Sequence, residues 1–257
     1  MTEPLRSFFD ELEAPDRNLV VMNRSSPDPV RALFDELLDG QPVSIEEIET
    51  ETGGDENTDI VALVENGEIV AESTLDDLLE SVLLINSDLY KTGAIDLADI
   101  ELPDVLRGLD EVPFRLRGYP ESNKEKLLLI IISRVIERIA AERGDGTLRA
   151  SFQRLSRIND EQGTRAVYET LADTGVDVHV YGTGDPGSLS ELPVTVHSGT
   201  TYPYRRSWFV VFTPSDDGDG NHVALLALED EPNVWDGFWT FRPELVTRIE
   251  RHIAEQV

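Results

Sequence analysis

The sequence predicts a mixed α/β (α+β) protein made of two halves with a similar order of elements. Short apolar runs between turn residues predict strands, and longer segments with apolar residues three and four positions apart predict helices. Each half runs through helix, strand, helical turn, strand, hairpin and helix, around a central apolar helix that spans Lys124 to Arg143. A duplication, or pseudo-repeat, and the chance reuse of a common order explain this similarity equally well.

The first half opens with a helix over Leu5 to Leu12 and a buried strand over Leu19 to Met22. A helix from Pro27 to Gly40 follows, because proline suits the first helical turn and glycine commonly ends a helix. Pro42 to Ile45 then indicates a brief strand. The acidic residues from Glu46 to Asp59 predict a surface loop.

A hairpin is predicted at Asn66 and Gly67, since this pair accepts the positive φ angles of a tight turn between apolar strands. The strands on either side are residues 59–64 and 68–71. Thr74 is expected to cap a helix that reaches Leu83, because its hydroxyl can accept a hydrogen bond from the first turn.

The second half repeats this order. A helix is predicted over Glu161 to Thr174 and a strand over Val176 to Tyr181, with Gly175 between them. A further strand begins at Pro193, and two later strands form a hairpin, from Trp208 to Thr213 and from His222 to Leu228. Arg242 to Ile253 has the apolar spacing of a final helix.

The domain organisation follows from the turn residues between the halves. Residues 1–95 form the N-terminal half, residues 96–123 a linker, and residues 124–257 the C-terminal half. The run Leu127 to Ile132 makes the helix after the linker apolar on more than one face. Two outcomes fit such a helix: burial inside one molecule, which is the simpler, or the seam of a homodimer.

The charge balance restricts the environment and the partners. The chain has 51 acidic and 22 basic residues, a net charge of −29, and only three of its bases are lysines. Self-repulsion opposes compaction in dilute buffer, whereas molar salt shortens the Debye length to about 3 Å. We therefore predict a halophilic protein. Nucleic acids and anionic membranes are poor partners, because binding a polyanion needs clustered lysine and arginine.

The same composition predicts a soluble, cytoplasmic protein. The chain has no cysteine, which suits a reducing compartment and excludes thiol catalysis. Residues 1–4 lack the basic and apolar regions of a secretory signal. The longest apolar run, Leu127 to Ile132, is far shorter than the roughly 20 residues that span a bilayer.

A glycine-rich motif, Gly182 to Gly187, has the spacing of a dinucleotide-binding loop after a strand. Such a site also needs a long helix directly after the loop and an acidic residue about 20 positions later, and the sequence offers neither. Asp185 would also repel a phosphate. A turn at the end of the strand is the simpler interpretation.

The histidines and serines indicate no catalytic or metal site. His179, His197 and His222 lie on three predicted strands and could meet around a metal, but no local pair has ligand spacing. We expect each to stand alone. No nucleophile elbow of the G-x-S-x-G type occurs either.

An aromatic cluster stands out near the C-terminus, where Trp235 to Phe241 contains four aromatic residues within seven positions. Buried, it closes the end of a sheet; exposed, it lines a pocket for an apolar ligand or a partner surface. Core packing is the simpler outcome.

Several stretches of the second half together resemble the DICT domain, a sensory domain attached to diguanylate cyclases and two-component proteins. The stretches are residues 133–137, 144–148, 151–155, 168–171, 178–182, 208–212 and 237–240. The resemblance covers Lys124 to Val257, and the first half resembles the N-terminal portion of haloarchaeal proteins of this kind. It implies an input module of light-response or two-component signalling, with no established ligand or catalytic residue.

Function is therefore expected to be signal sensing or relaying, with the output on a partner protein, because no cyclase, kinase or receiver sequence accompanies the module. The ligand, which could be a small molecule, and any cofactor stay unidentified. A small-molecule enzyme and an interaction scaffold without a ligand are the alternatives. Residues proposed to line a ligand site are Arg134, Glu137, Phe152, Gln153, His179, Tyr181, Trp208, Phe238 and Trp239.

Overall fold

The structure is a computed structural model with two β-sheets and several helices, so the mixed α/β prediction is confirmed. It describes residues 5–12, 17–22, 59–78, 97, 100–117, 127–215 and 221–257, and the backbone alone at 44–48 and at Arg117, Leu127 and Gln162. The helix predicted over Pro27 to Gly40 lies outside these residues. So does most of the predicted acidic loop.

The first sheet has four strands in the order β2-β1-β3-β4. They are β1 (Arg17–Met22), β2 (Ser44–Ile48), β3 (Ile60–Glu65) and β4 (Glu68–Thr74). Asn66 and Gly67 turn between β3 and β4 with φ angles of 53° and 84°, so the predicted hairpin is confirmed. Thr74 caps the helical residues 75–78, since the Asp77 N–H donates to its Oγ1 at 3.0 Å.

The segment predicted as a linker contains regular structure. Helix α1 (Asp104–Arg107) and strand β5 (Phe114–Arg117) lie within residues 96–123. β5 pairs antiparallel with a strand near the C-terminus, and Phe114 and Leu116 are buried in the core. The sequence did not predict this strand for two reasons. Turn residues flank it on both sides, and its partner lies more than a hundred residues away in sequence.

The second sheet has seven strands in the order β5-β11-β10-β9-β6-β7-β8. They include β6 (Asp145–Arg154), β7 (Gly175–Thr183), β8 (Thr195–Ser198), β9 (Ser207–Thr213), β10 (Val223–Glu231) and β11 (Val234–Thr240). β6, β7 and β8 run parallel to one another, and the remaining pairs are antiparallel. The predicted hairpin of β9 and β10 is confirmed, whereas β6 and β11 were not predicted as strands.

Helices cover both faces of this sheet. They are α2 (Leu127–Arg143), α3 (Arg157–Asp160), α4 (Gln162–Ala172), α5 (Tyr202–Arg206) and α6 (Pro243–Gln256). α2 packs on β6, β9, β10 and α4, and every residue from 128 to 137 except Ile130 is buried. Packing within one molecule thus accounts for its apolar faces. α6 covers β9 and β10 from the opposite side, next to the 3₁₀ helix Leu5–Glu11.

The aromatic residues sort onto the two faces according to the alternation of the strands. Trp208, Trp235 and Trp239 pack in the core on the α2 side. Phe209 and Phe238 pack on the α6 side. In the residues that the structure describes, the two sheets differ in the number and order of their strands, and a duplication of the halves remains a prediction.

Candidate functional site

The second sheet separates the predicted ligand residues into two groups. Arg134, Glu137, Phe152, Trp208 and Trp239 lie on or face the α2 side of the sheet. His179, Tyr181 and Phe238 lie on the α6 side. Gln153 sits at the end of β6, between the two groups. One pocket therefore cannot gather all the predicted residues.

Phe238 and Trp239 are core residues with no exposed surface. Phe238 packs edge-on against Phe9, with ring centroids 4.9 Å apart, and Trp239 lies 5.7 Å from Phe114. A ligand can touch either ring only if the core opens. Core packing, the simpler interpretation of the aromatic segment, agrees with this burial.

Arg134 and Glu137 form an ion pair inside the protein, and Nη1 of Arg134 lies 2.6 Å from Oε2 of Glu137. The two residues share a helix face because they are three positions apart. Nη2 of Arg134 donates to Thr164 Oγ1 at 2.7 Å, which ties α2 to α4. Burial alone lowers the pKa of Arg134, but Glu137 outweighs it, and the pKa stays above its usual value.

Tyr168 extends this buried cluster toward Phe152. Their rings meet edge-on with centroids 5.2 Å apart. Burial raises the pKa of the Tyr168 hydroxyl well above its usual value, and the negative charge of Glu137 raises it further. Tyr168 is therefore a neutral phenol at any physiological pH.

Trp208 and Gln153 are both held by hydrogen bonds. Trp208 Nε1 donates to Ser133 Oγ at 3.0 Å, so its indole is fixed to α2. Gln153 has a φ of 52° at a bulge in β6, and its Nε2 donates to the Ser207 carbonyl at 2.6 Å. Arg157 Nη1 donates to Gln153 Oε1 at 2.7 Å. These bonds stabilise a backbone conformation that non-glycine residues rarely adopt.

A polar and aromatic cluster lies on the α6 side, where the parallel strands reach the edge of the sheet. We call it the histidine row, and it comprises Asp177, His179, Tyr181, His197, Arg149 and Glu250. The register creates it, because Arg149 lies opposite His179 and Tyr181 lies opposite His197. Residues two apart on one strand point to the same face, so all these side chains meet.

Two histidines form the outer part of the row. His179 Nδ1 lies 2.9 Å from His197 Nε2, and His179 Nε2 lies 3.0 Å from Asp177 Oδ2. The His197 ring stacks on Tyr181 with centroids 4.3 Å apart and planes 5° from parallel. The prediction that each histidine stands alone is therefore wrong for His179 and His197.

Arg149 forms the inner part of the row. Its Nη1 donates to the Tyr181 hydroxyl at 2.8 Å, and its Nε donates to Glu250 Oε1 at 2.7 Å. Glu250 belongs to α6, so the row joins edge strand β8 to that helix. Burial lowers the pKa of His197, and the nearby His179 and Arg149 lower it further. His197 is thus neutral at pH 7.

Sequence reasoning found His179 and Tyr181, considered a meeting of His179 with His197 but set it aside, and missed Arg149 and Glu250 as their neighbours. The alternation of His179 and Tyr181 along one strand was visible in the sequence, whereas the pairing of β7 with β8 was not. Among the described residues, no group of three or more histidine, aspartate or glutamate side chains is placed to hold a metal ion.

A cleft of about 370 Å³ lies away from the row. It is lined by Val70 and Ala71 of β4, by Arg107 and Asp110 at α1, and by Phe241. Phe152 and Trp239, two of the residues proposed to line a ligand site, are not among its lining residues. In the part of the chain that the structure describes, no helix is long and apolar enough to cross a membrane.

Comparison with known families gives a match over residues 105–230. The matching profile is that of DICT, described as "Sensory domain in DIguanylate Cyclases and Two-component system". The matched interval contains every residue of the histidine row except Glu250.

Among solved structures, the chain is similar to the polyphosphate kinase from Porphyromonas gingivalis. The sequence identity is 13% and the TM-score is 0.37. The similarity covers 60% of this chain and 24% of the kinase. Likeness at this level carries no argument about activity.

Proposed function

Residues 105–230 belong to the DICT family of sensory domains, and we propose that this chain receives a signal through them and relays it to a separate signalling protein. The family description associates such domains with diguanylate cyclases and two-component systems, so the proposed partner is an output protein of that type. We also propose that the signal belongs to a light response and that the protein works in a salt-rich cytoplasm. The net charge of −29 supports the salt-rich environment.

The observation that carries the proposal is the continuity of the histidine row. Hydrogen bonds and one ring stack lead from Asp177, through His179, His197, Tyr181 and Arg149, to Glu250 on α6. Asp177 is 67% exposed, whereas the Arg149 side chain is only 11% exposed. The row thus runs from the surface at the sheet edge to a helix packed on the core.

A ligand bound at the outer end of the row would change the hydrogen bonds of the two histidines. Tyr181 and Arg149 would respond, because Tyr181 stacks on His197 and accepts from Arg149. The Arg149 bond to Glu250 would transmit the change to α6. Such coupling needs only that the ligand bind one arrangement of the row more tightly than another.

The test begins with protein purified from its own host. Native mass spectrometry and absorbance beyond the aromatic band of the protein would reveal a bound small molecule or chromophore. Hydrogen exchange of α6 with and without that molecule then measures the coupling. We expect slower or faster exchange in α6 for the unmodified chain and no ligand effect for Arg149→Gln.

Arg165→Gln serves as the matched control, because Arg165 also pairs with a glutamate but lies on α4, outside the histidine row, with side chains 29% and 53% exposed. This variant should keep the ligand effect on α6. Sensing is refuted if host-purified protein carries nothing, thermal-shift screens of metabolites give no response, and illumination changes neither absorbance nor exchange.

A second candidate, an interaction module that needs no ligand, is supported by the first sheet. Ile69 and Val70 on β4 are 55% and 53% exposed, although both are large and apolar. Neighbouring exposed apolar residues on an outer strand are typical of a protein-binding surface. Val70→Thr would weaken capture of such a partner and leave ligand binding at the histidine row unchanged.

A further inference from the structure

We propose that His179 and His197 bind a divalent transition metal ion of the zinc and copper class, with the remaining coordination positions open to water or to a small ligand. The metal site goes beyond the sensing role and stands independently of it. Imidazole nitrogens suit zinc, copper and nickel ions, whereas carboxylate and carbonyl oxygens suit magnesium and calcium.

The facing ring nitrogens carry the inference. Nδ1 of His179 and Nε2 of His197 lie 2.9 Å apart on neighbouring strands. Zinc–imidazole distances of about 2.0–2.1 Å at a tetrahedral angle place two such nitrogens about 3.4 Å apart. Admitting the ion therefore requires these nitrogens to move apart by about half an ångström and both rings to tilt, so that their lone pairs converge on the ion. Metal binding would displace the hydrogen between the two nitrogens, and His197 would carry it on Nδ1 instead.

Asp177 gives His179 the orientation that a ligand needs. Its Oδ2 lies 3.0 Å from Nε2 of His179, so this nitrogen carries the hydrogen and donates it to the carboxylate. The lone pair of Nδ1 then points toward His197. Metal-binding histidines commonly donate their other N–H to a carboxylate, which fixes the tautomer and makes the ligand more basic.

The charges around the pair are compatible with a cation. Arg149 is the adverse charge, but Glu250 at 2.7 Å compensates it. Asp177 places a carboxylate next to His179, and the net charge of −29 favours cations at the surface generally.

Two protein ligands make this an open site. Among the described residues, no third histidine, aspartate or glutamate is placed to share the ion with the two ring nitrogens. Structural zinc sites have four protein ligands and catalytic zinc sites have three with one open position, so a site with two protein ligands would leave still more positions to water or a small ligand. The open positions suit a ligand carboxylate or hydroxyl, which would then be held by the metal at the outer end of the row.

The direct test is calorimetric titration of the metal-free full chain with Zn²⁺ in molar KCl, where salt screens weak binding to surface acids. We expect one ion per chain. His197→Gln and His179→Gln should each weaken binding at least tenfold, and Asp177→Asn should weaken it by about tenfold. His252→Gln is the control, because His252 lies on α6 and packs edge-on against Phe8 of the 3₁₀ helix, away from the pair. This variant should bind Zn²⁺ as the unmodified chain does.

A second readout requires no substitution. Cu²⁺ added at one equivalent should give an electron paramagnetic resonance spectrum with hyperfine coupling to two imidazole nitrogens. The proposal is overturned if the bound copper shows only oxygen ligands, if no ion binds in the titration, or if the variant His179→Gln/His197→Gln binds Zn²⁺ as tightly as the unmodified chain. In those cases the two rings share only a hydrogen bond.

Discussion

Arg134 and Glu137 form a salt bridge of 2.6 Å between side chains that are only 7% and 2% exposed, within one turn of α2. This pair is more completely removed from water than the pair of Arg149 and Glu250, whose side chains are 11% and 19% exposed. Burying two charges costs several kcal/mol each, so the pair adds little net stability. Its partners must nevertheless stay together, because either charge alone would be left unsolvated.

Glu137→Gln should therefore lower the free energy of unfolding by about 3–5 kcal/mol, because Arg134 keeps its charge without a counterion. The double variant Arg134→Met/Glu137→Leu should recover most of that loss. Denaturant unfolding at a fixed salt concentration measures both. Arg138→Met is the control, since Arg138 pairs with the half-exposed Glu142, and it should change stability by less than about 1 kcal/mol. Equal losses of unfolding free energy in Glu137→Gln and Arg138→Met would show that burial of the ion pair does not set the cost.

Tyr181→Phe should destabilise the protein by about 1–3 kcal/mol, because Arg149 loses a hydrogen-bond acceptor in a largely buried position. Tyr202→Phe provides the comparison, since its hydroxyl donates to the Glu229 carbonyl but the residue is 50% exposed. It should remain within about 0.5 kcal/mol of the unmodified chain. Chemical denaturation decides the point, and a smaller effect at Tyr181 than at Tyr202 would rule out tight coupling in the row.

Asp110 gives a pH dependence. Burial raises the pKa of this carboxyl above its usual 3.8, and Arg17 only partly offsets the shift. The folded chain thus keeps this proton at pH values where the unfolded chain has lost it, so this group's contribution to stability decreases as the pH rises through that window.

The stability of Asp110→Asn relative to the unmodified chain should accordingly rise with pH above about 3.8 and then level off. Unfolding curves for both proteins at a series of pH values measure the difference. A gap that shrinks as the pH rises would mean that the ion pair with Arg17 dominates over burial.

Gly146→Ala should cost more than about 1 kcal/mol of stability. Gly146 has a φ of 106°, and an added Cβ would lie 2.4 Å from the Thr213 carbonyl oxygen. Gly184→Ala separates the two causes, because Gly184 has a φ of 115° but no atom within 4 Å of its Cβ position. Thermal unfolding should show the larger loss at Gly146. Identical losses would assign the whole effect to backbone strain.

Salt should control stability because 51 acidic side chains oppose 22 basic ones. Transfer from molar KCl to dilute buffer lengthens the Debye length from about 3 Å to 10 Å or more, and repulsion then acts across the surface. We expect a steep fall in melting temperature, which calorimetry or fluorescence would measure. Unchanged melting would show that the acids are compensated locally rather than by salt.

Local signals in the sequence predicted the local parts of the fold. Asn66 and Gly67 specify their turn through their own backbone preferences, and Thr74 caps its helix with its own hydroxyl. β5 was missed because its pairing with β11 depends on residues far away in the chain. β6 was missed because Arg149, Ser151 and Gln153 interrupt its apolar residues with polar ones that have partners only in the folded sheet.

The candidate site shows the same limit. The sequence placed His179 and Tyr181 on one strand face, but only the register of β7 against β8 brings His197 to them. Glu250 reaches Arg149 from a helix that crosses the sheet. These contacts depend on how strands and helices assemble. Composition and periodicity do not specify that assembly. The buried pair of Arg134 and Glu137 was partly visible, because residues three apart share a helix face.

Strand β5 has a practical consequence for anyone who divides this protein. A fragment that begins at residue 124 lacks Phe114 to Arg117, so β11 becomes an outer strand, and the N–H and C=O groups of residues 234–237 that face β5 lose their partners. Unprotected edges of this kind recruit other chains and lead to aggregation. The sensory half is therefore better expressed from a start upstream of α1, where its own chain supplies the closing strand.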